Sequence, residues 1–266
     1  RMENFLSSLA HNPTVDDVRF LCSYALADLA DYITTVFDPD FSLVRYAEHL
    51  TVDERSLSQI EKQLDSPVLA NFYEQVLQEN LTFDDSAQPD LICISIPFAG
   101  TFLPALYTAR FIKNHCKSNV FVTFGGGFVN TQLRETSEKS FSKYIDAFSF
   151  DRGYGSYIEL KNNFSKIKEA SAKDSLIQPL YKLQLFFNDK TIPPLWNNEK
   201  ISQIEDQLTA QTVPDFDCID FSIYPRVCDD LNPMHRIWND GAWIKAYLAH
   251  GCYWHKCAFC DTQLDY

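Results

Sequence analysis

Between Pro89 and Phe164 the apolar residues switch their spacing repeatedly, and this alternation restricts the chain to an α/β architecture. Asp90-Leu91-Ile92-Cys93-Ile94-Ser95-Ile96-Pro97 is a short, nearly continuous apolar run, as expected of a strand buried on both faces. Phe102, Leu106, Ala109, Ile112 and Cys116 follow at helical spacing. A second strand, Val120 to Phe124, ends in Gly125-Gly126-Gly127. The pattern then predicts a helix over Thr131–Tyr144 and a third strand over Ile145–Phe150. That strand ends in Asp151-Arg152-Gly153-Tyr154-Gly155, with a helix from Ser156 towards Phe164. Alternation of this kind predicts a Rossmann- or flavodoxin-like doubly wound parallel sheet.

In such sheets ligands bind beyond the carboxyl ends of the strands, where glycine lets backbone approach a ligand closely or take positive φ. The glycines that end the second and third strands, Gly125, Gly126, Gly127, Gly153 and Gly155, are therefore candidate positions for such an approach. The glycines equally suit plain tight turns.

Upstream, residues 1–88 read as helical. Val15, Val18, Cys22, Ala25, Leu26, Leu29, Ile33 and Val36 form one apolar stripe, with Thr14 and Asp17 placed to cap its start. Thr51-Val52-Asp53-Glu54 is a capping-box pattern for a second helix, Ser66-Pro67 breaks it, and Phe72, Val76 and Leu77 continue on a third. His11 and His49 stand isolated in this region and read as solvated. Downstream, Leu180 to Ile192 alternates in part and reads as a β-hairpin attached to the sheet, closing an α/β domain over 89–195. Residues 196–241 have connector composition, including Val213-Pro214-Asp215-Phe216-Asp217. Ala242 to His250 is a short apolar run of strand type opening a last segment, 242–266.

That segment carries the densest chemistry. Cys252, Cys257 and Cys260 lie within nine residues in a C-x4-C-x2-C spacing, with Phe259 directly before the last. Thiolates are soft donors suited to zinc and to iron–sulfur clusters. Four protein ligands normally close a structural zinc, whereas a cluster held by three keeps one iron free. A zinc knuckle completed by His250 or His255 is the competing reading, and it would make the chain a non-catalytic α/β binding module with a zinc-stabilised tail.

These residues resemble the radical S-adenosylmethionine superfamily, whose usual motif is C-x3-C-x2-C with an aromatic before the third cysteine, on the loop after the first strand of a (β/α) barrel. The first gap here is one residue longer. The resemblance implies a [4Fe–4S] cluster on Cys252, Cys257 and Cys260, with Phe259 at the cofactor and Tyr253 and Trp254 helping to shield it. The open iron would chelate S-adenosylmethionine, cleaved by electron transfer to a 5′-deoxyadenosyl radical, with a flavodoxin or ferredoxin as electron donor.

Residues 89–165 are in turn similar to the cobalamin-binding domain that precedes many such barrels. The match runs through Pro89-Asp90, Ile112-Lys113, Gly125-Gly126-Gly127 and Gly153-Tyr154-Gly155-Ser156, where Tyr154 and Ser156 replace two glutamates. No Asp-x-His-x-x-Gly motif is present, so the resemblance implies contacts to cobalamin from backbone and small side chains at Ser95, Ile96, Pro97 and Phe98, at Gly125 to Phe128, and at Asp151, Arg152, Gly153, Tyr154 and Gly155. The implied reaction is methyl transfer or rearrangement on a small-molecule or peptide substrate that the sequence does not identify. It assigns no catalytic side chain. A complete barrel would need about 200 further residues. The chain is therefore expected to be the N-terminal part of a longer enzyme, inactive alone.

Charge and hydropathy bound the partners. A net charge of −13 argues against a sequence-independent grip on nucleic acid. No apolar run approaches the roughly 18–20 residues that span a bilayer. With no signal peptide visible, eight cysteines read as reduced thiols of a cytoplasmic protein.

Overall fold

A computed structural model describes residues 1–37, 39, 41, 57–65, 67–81, 88–116, 120–173, 177–187 and 189–223, together with 237, 254 and 256. These residues belong to two compact units, one holding 1–41, 214–223 and 237, the other holding those from 57 to 213 with 254 and 256.

In the first unit, α1 (Met2–Ser8) precedes α2 (Val15–Val36). The expected capping box forms: the Asp17 N–H donates to Thr14 Oγ1 at 3.2 Å, and the Thr14 N–H donates back to Asp17 Oδ2 at 2.8 Å. His11 is not isolated, because its Nε2 lies 2.9 Å from the same Asp17 oxygen. His49 lies outside the described residues. Val15, Val18, Leu29 and Val36 of the apolar stripe are exposed, while the buried positions are Ser23 and Ala27. α1, within the stretch read as helical, brings Phe5 against Phe20 and Tyr24, with ring centroids 6.2 and 5.3 Å away.

The second unit opens with α3 (Leu57–Leu64) and α4 (Pro67–Asn80), separated at the Ser66-Pro67 break. Proline suits a helix start because its missing N–H has no partner there anyway. The box at Thr51–Glu54 lies outside the described residues. Leu57, Ile60 and Leu64, spaced by three and four, are buried in the same core as Leu106 and Ile112 of α5 (Phe102–His115). Arg110 fixes the pairing by donating to the Leu64 carbonyl at 2.7 Å.

The remaining elements are β1 (Leu91–Ser95), β2 (Phe121–Gly125), α6 (Gly127–Thr131), β3 (Ala147–Ser149), α7 (Tyr154–Lys173), β4 (Leu183–Phe187), β5 (Lys190–Ile192) and α8 (Glu199–Gln211). The strands form one five-stranded sheet in sequence order. β1–β2 and β2–β3 are parallel, whereas β3–β4 and β4–β5 are antiparallel, so the sheet is mixed. Both faces are covered. Val122, Phe124, Phe148 and Phe186 pack with α5 on one side, and Phe121, Ala147, Leu183 and Leu185 pack with Leu160 and Ile167 of α7 on the other. At the amino end of the strands, Lys113 donates to the carbonyl of Val120 and to Asp146 Oδ2, which also accepts the Val122 N–H.

Two expected elements differ. The helix predicted over Thr131–Tyr144 is replaced by α6, which ends at Thr131, and a 3₁₀ turn at Lys139–Lys143. Thr136 diverts the backbone between them: its hydroxyl accepts the Glu138 N–H at 3.3 Å, and its carbonyl accepts Gln184 Nε2 at 2.8 Å. Phe141 is thereby seated against Phe148, Phe186 and Phe102. The stretch read as connector over 196–241 also contains α8, capped by Asn198 Oδ1 accepting the Ile201 N–H at 3.3 Å.

Candidate functional site

The loops after β1, β2 and β3 lie at one end of the sheet, as the parallel pairing of these strands requires. The first two are bonded to each other. Ile96 donates its N–H to the Gly125 carbonyl at 2.7 Å and accepts the Phe128 N–H at 3.0 Å. Gly126 has φ +97°, and a Cβ there would sit 2.8 Å from the Ile96 carbonyl oxygen; at Gly127 it would sit 2.9 Å from that of Pro97. These glycines bring two stretches of the chain together. Ser95, Pro97 and Phe98 remain exposed around this junction, Phe98 to 64%.

The third loop is filled by the chain's own side chains. Asp151 adopts φ 60°, its backbone N–H donating to Asn130 Oδ1 at 2.7 Å. Its fully buried carboxylate meets Arg134 Nη1 at 2.7 Å and Lys182 Nζ at 3.1 Å. The same ammonium lies 3.0 Å from Glu205 Oε2 of α8, and Glu205 Oε1 accepts the Gly155 N–H at 3.0 Å. Tyr181 adds its hydroxyl to Glu205 at 3.3 Å. Arg152 reaches α8 as well, donating to Asp206 Oδ1 at 2.7 Å. The group joins two cations to two carboxylates, so its buried charge is balanced, which is the condition under which such a cluster is tolerated.

Beneath the loops, Ser149 and Ser156 hydroxyls share a hydrogen bond at 2.6 Å. Burial, then the neighbouring Cys93 thiol, holds the Tyr157 phenol well above the usual tyrosine range. Burial also pushes the Cys93 thiol up. Both shifts favour the neutral forms of the phenol and the thiol, and the Cys93 residue is itself exposed.

Of the predicted positions, Ser95, Pro97, Phe98, Gly126, Gly127 and Gly153 keep exposure at this end of the sheet, while Ile96, Gly125 and Gly155 are buried. A flat cofactor lying over the first two loops is compatible with that arrangement. One held through the Asp151 carboxylate or the Gly155 N–H is not, because both are already bonded internally, whereas Arg152 is drawn to Asp206 through Nη1 and its buried Nε has no partner among the described residues.

Sequence reasoning did not single out Asn130, Arg134, Lys182 or Glu205. The one hint was Lys182 and Gln184 interrupting an apolar strand run, and both are almost fully buried.

Cys252, Cys257, Phe259 and Cys260, with His250 and His255, lie outside the described residues. Trp254 is described and is 56% exposed, with the Lys256 ammonium 5.9 Å from its ring centroid. Among the described residues no group of three or more His, Cys, Asp or Glu side chains is arranged to hold a metal ion. None of the described helices is long and apolar enough to cross a membrane.

Comparison with protein-family models, curated proteins and solved structures finds no match.

Proposed function

We propose that this chain carries the cluster-binding motif of a radical S-adenosylmethionine enzyme, with Cys252, Cys257 and Cys260 holding a [4Fe–4S] cluster and an α/β domain preceding it. The carrying observation is the C-x4-C-x2-C spacing with Phe259 before the last cysteine. Three thiolates are one fewer than a cube-shaped cluster has irons, and the vacancy suits a chelating substrate. When bound, the cluster supplies one electron to the sulfonium of S-adenosylmethionine. The residues of this chain act by holding that cluster and excluding water from it, a role suited to Tyr253 and Phe259 beside the cysteines. Such thiolates require a reducing compartment, which fits a cytoplasmic location.

Cobalamin forms the second part of the proposal. The exposed Ser95, Pro97 and Phe98 and the half-exposed Gly126 and Gly127 support a cofactor resting on the first two loops. Methyl transfer to, or rearrangement of, an unactivated carbon is the class of reaction this pairing serves.

Anaerobic reconstitution with iron and sulfide tests the first part. The expected product is a brown protein whose reduced cluster changes its electron paramagnetic resonance spectrum on addition of S-adenosylmethionine, with the colour lost in Cys257→Ala. A colourless protein with one bound zinc, lost on replacing His250 or His255, would establish the zinc-stabilised module instead. Titration with hydroxocobalamin tests the second part. Saturable binding weakened by Phe98→Ala is expected, and absence of binding would leave the α/β domain as scaffold.

A further inference from the structure

We infer that a cleft on the hairpin side of the sheet is a binding site for an uncharged planar heteroaromatic ring of the nucleobase type, presented as a free base or nucleoside. This site adjoins the third strand-end loop through Arg134, which Asp151 holds, and does not depend on the cysteine motif. The cleft encloses about 580 Å³, with Arg134, Thr136, Gln184, Thr191 and Trp196 among its lining. That volume falls within the roughly 300–1,000 Å³ of small-molecule sites.

Trp196 supplies the platform. The residue lines the cleft and is 39% exposed, and its ring is in contact with the Arg134 guanidinium at 4.2 Å and with the Phe150 ring, centroid to centroid, at 5.2 Å. Arg134 cannot move away easily, because Asp151 holds it at 2.7 Å within the buried ionic cluster. The indole is therefore a supported surface, and stacking on a preorganised ring loses little conformational entropy.

Two further groups can read the edge of a stacked ring. Gln184 is 3% exposed, and its Nε2 is committed to the Thr136 carbonyl at 2.8 Å, which orients the amide and leaves its oxygen as the group it can offer. Thr191 Oγ1 is buried and has no hydrogen-bond partner among the described residues. A buried hydroxyl left in that state is costly, and a ligand bearing both donors and acceptors relieves it.

Charge selects against a phosphate-driven ligand. Arg134 is neutralised by Asp151, and the other charged residues of the lining, Lys139 and Glu135, cancel. With no net charge to offer, recognition falls to stacking and to hydrogen bonds along the ring edge.

The test is calorimetric titration of the whole chain with adenosine, AMP and ribose, repeated on Thr191→Val and Trp196→Ala. Adenosine should bind saturably, AMP should bind within about threefold of it, and ribose should not bind. Thr191→Val, which keeps the shape of the side chain, should weaken adenosine by about fivefold or more. Trp196→Ala should weaken it by about tenfold or more. Absence of adenosine binding, adenosine binding indifferent to Thr191→Val, or AMP bound more than about tenfold tighter than adenosine would each overturn the assignment. The valine variant decides the matter even if the alanine variant, by removing the support of Arg134, does not fold.

Discussion

The Lys182 ammonium lies 3.0 Å from the Glu205 carboxylate, with both side chains 2% exposed, and this pair clamps α8 to the loop after β3. Asp151 on the other side of the same ammonium makes the clamp a chain of four charges ending at Arg134. Removing one member strands the others in a low-dielectric interior. Lys182→Met should therefore destabilise the chain by about 3–5 kcal/mol in urea unfolding. A loss below about 1 kcal/mol, the size of a surface pair, would show that water reaches the cluster.

Gly155 is the tightest steric position at this end of the sheet. An added Cβ would lie 2.5 Å from Tyr181 Cε1, so Gly155→Ala should lower stability by about 1–3 kcal/mol. Tyr181→Leu in the same chain should return part of that loss, since the clash is with a side chain. Gly126→Ala should not be rescued so simply, because φ +97° and the Ile96 backbone both oppose it. Thermal melting of the variants separates the two cases.

Acid should loosen α2 in a defined window. The Thr14 hydroxyl and N–H hold Asp17 at a pKa of about 2 against an ordinary 3.8. A carboxylate whose folded value is depressed binds fewer protons than in the unfolded chain. Its contribution is thus complete above the ordinary value and lost as pH falls from there towards the folded one. The stability difference between wild type and Asp17→Asn should shrink as pH falls through that range, followed by urea unfolding monitored at the helix circular dichroism band. A difference unchanged between pH about 6 and about 2 would contradict the capping box as its source.

Cys93 should react sluggishly for an exposed cysteine. Burial around its sulfur pushes the thiol up, so the reactive thiolate is scarce near neutral pH. The trace of an aromatic disulfide reagent should lose a slow phase in Cys93→Ser. Loss of the fastest phase would contradict this.

Period and punctuation made the framework legible. The apolar runs at Leu91–Ser95 and Phe121–Phe124, the helical spacing through Ile112 and the break at Ser66-Pro67 are local signals, and each formed the element it announced. The capping box at Thr14 is equally local. What escaped was set by distant contacts: Gln184 draws off the Thr136 carbonyl forty-eight residues away, and Glu205 bonds the Gly155 N–H across fifty. No window of sequence contains both partners of such a bond. The glycines illustrate the limit within the site. Their residue type indicated a close approach at the strand ends, but what approaches Gly126, Gly127 and Gly155 is the chain itself.

Lys113 and Asp146 meet at the opposite end of the sheet from all these loops, where Asp146 also takes the Val122 N–H. A one-residue slip of β3 along β2 would pull that carboxylate away from both donors and turn Phe148 out of its layer. The relative height of the strand-end loops is thus indexed by a bond they never touch, like a hinge pin setting the fall of a door. A substitution there would shift the mouth without altering any residue that lines it.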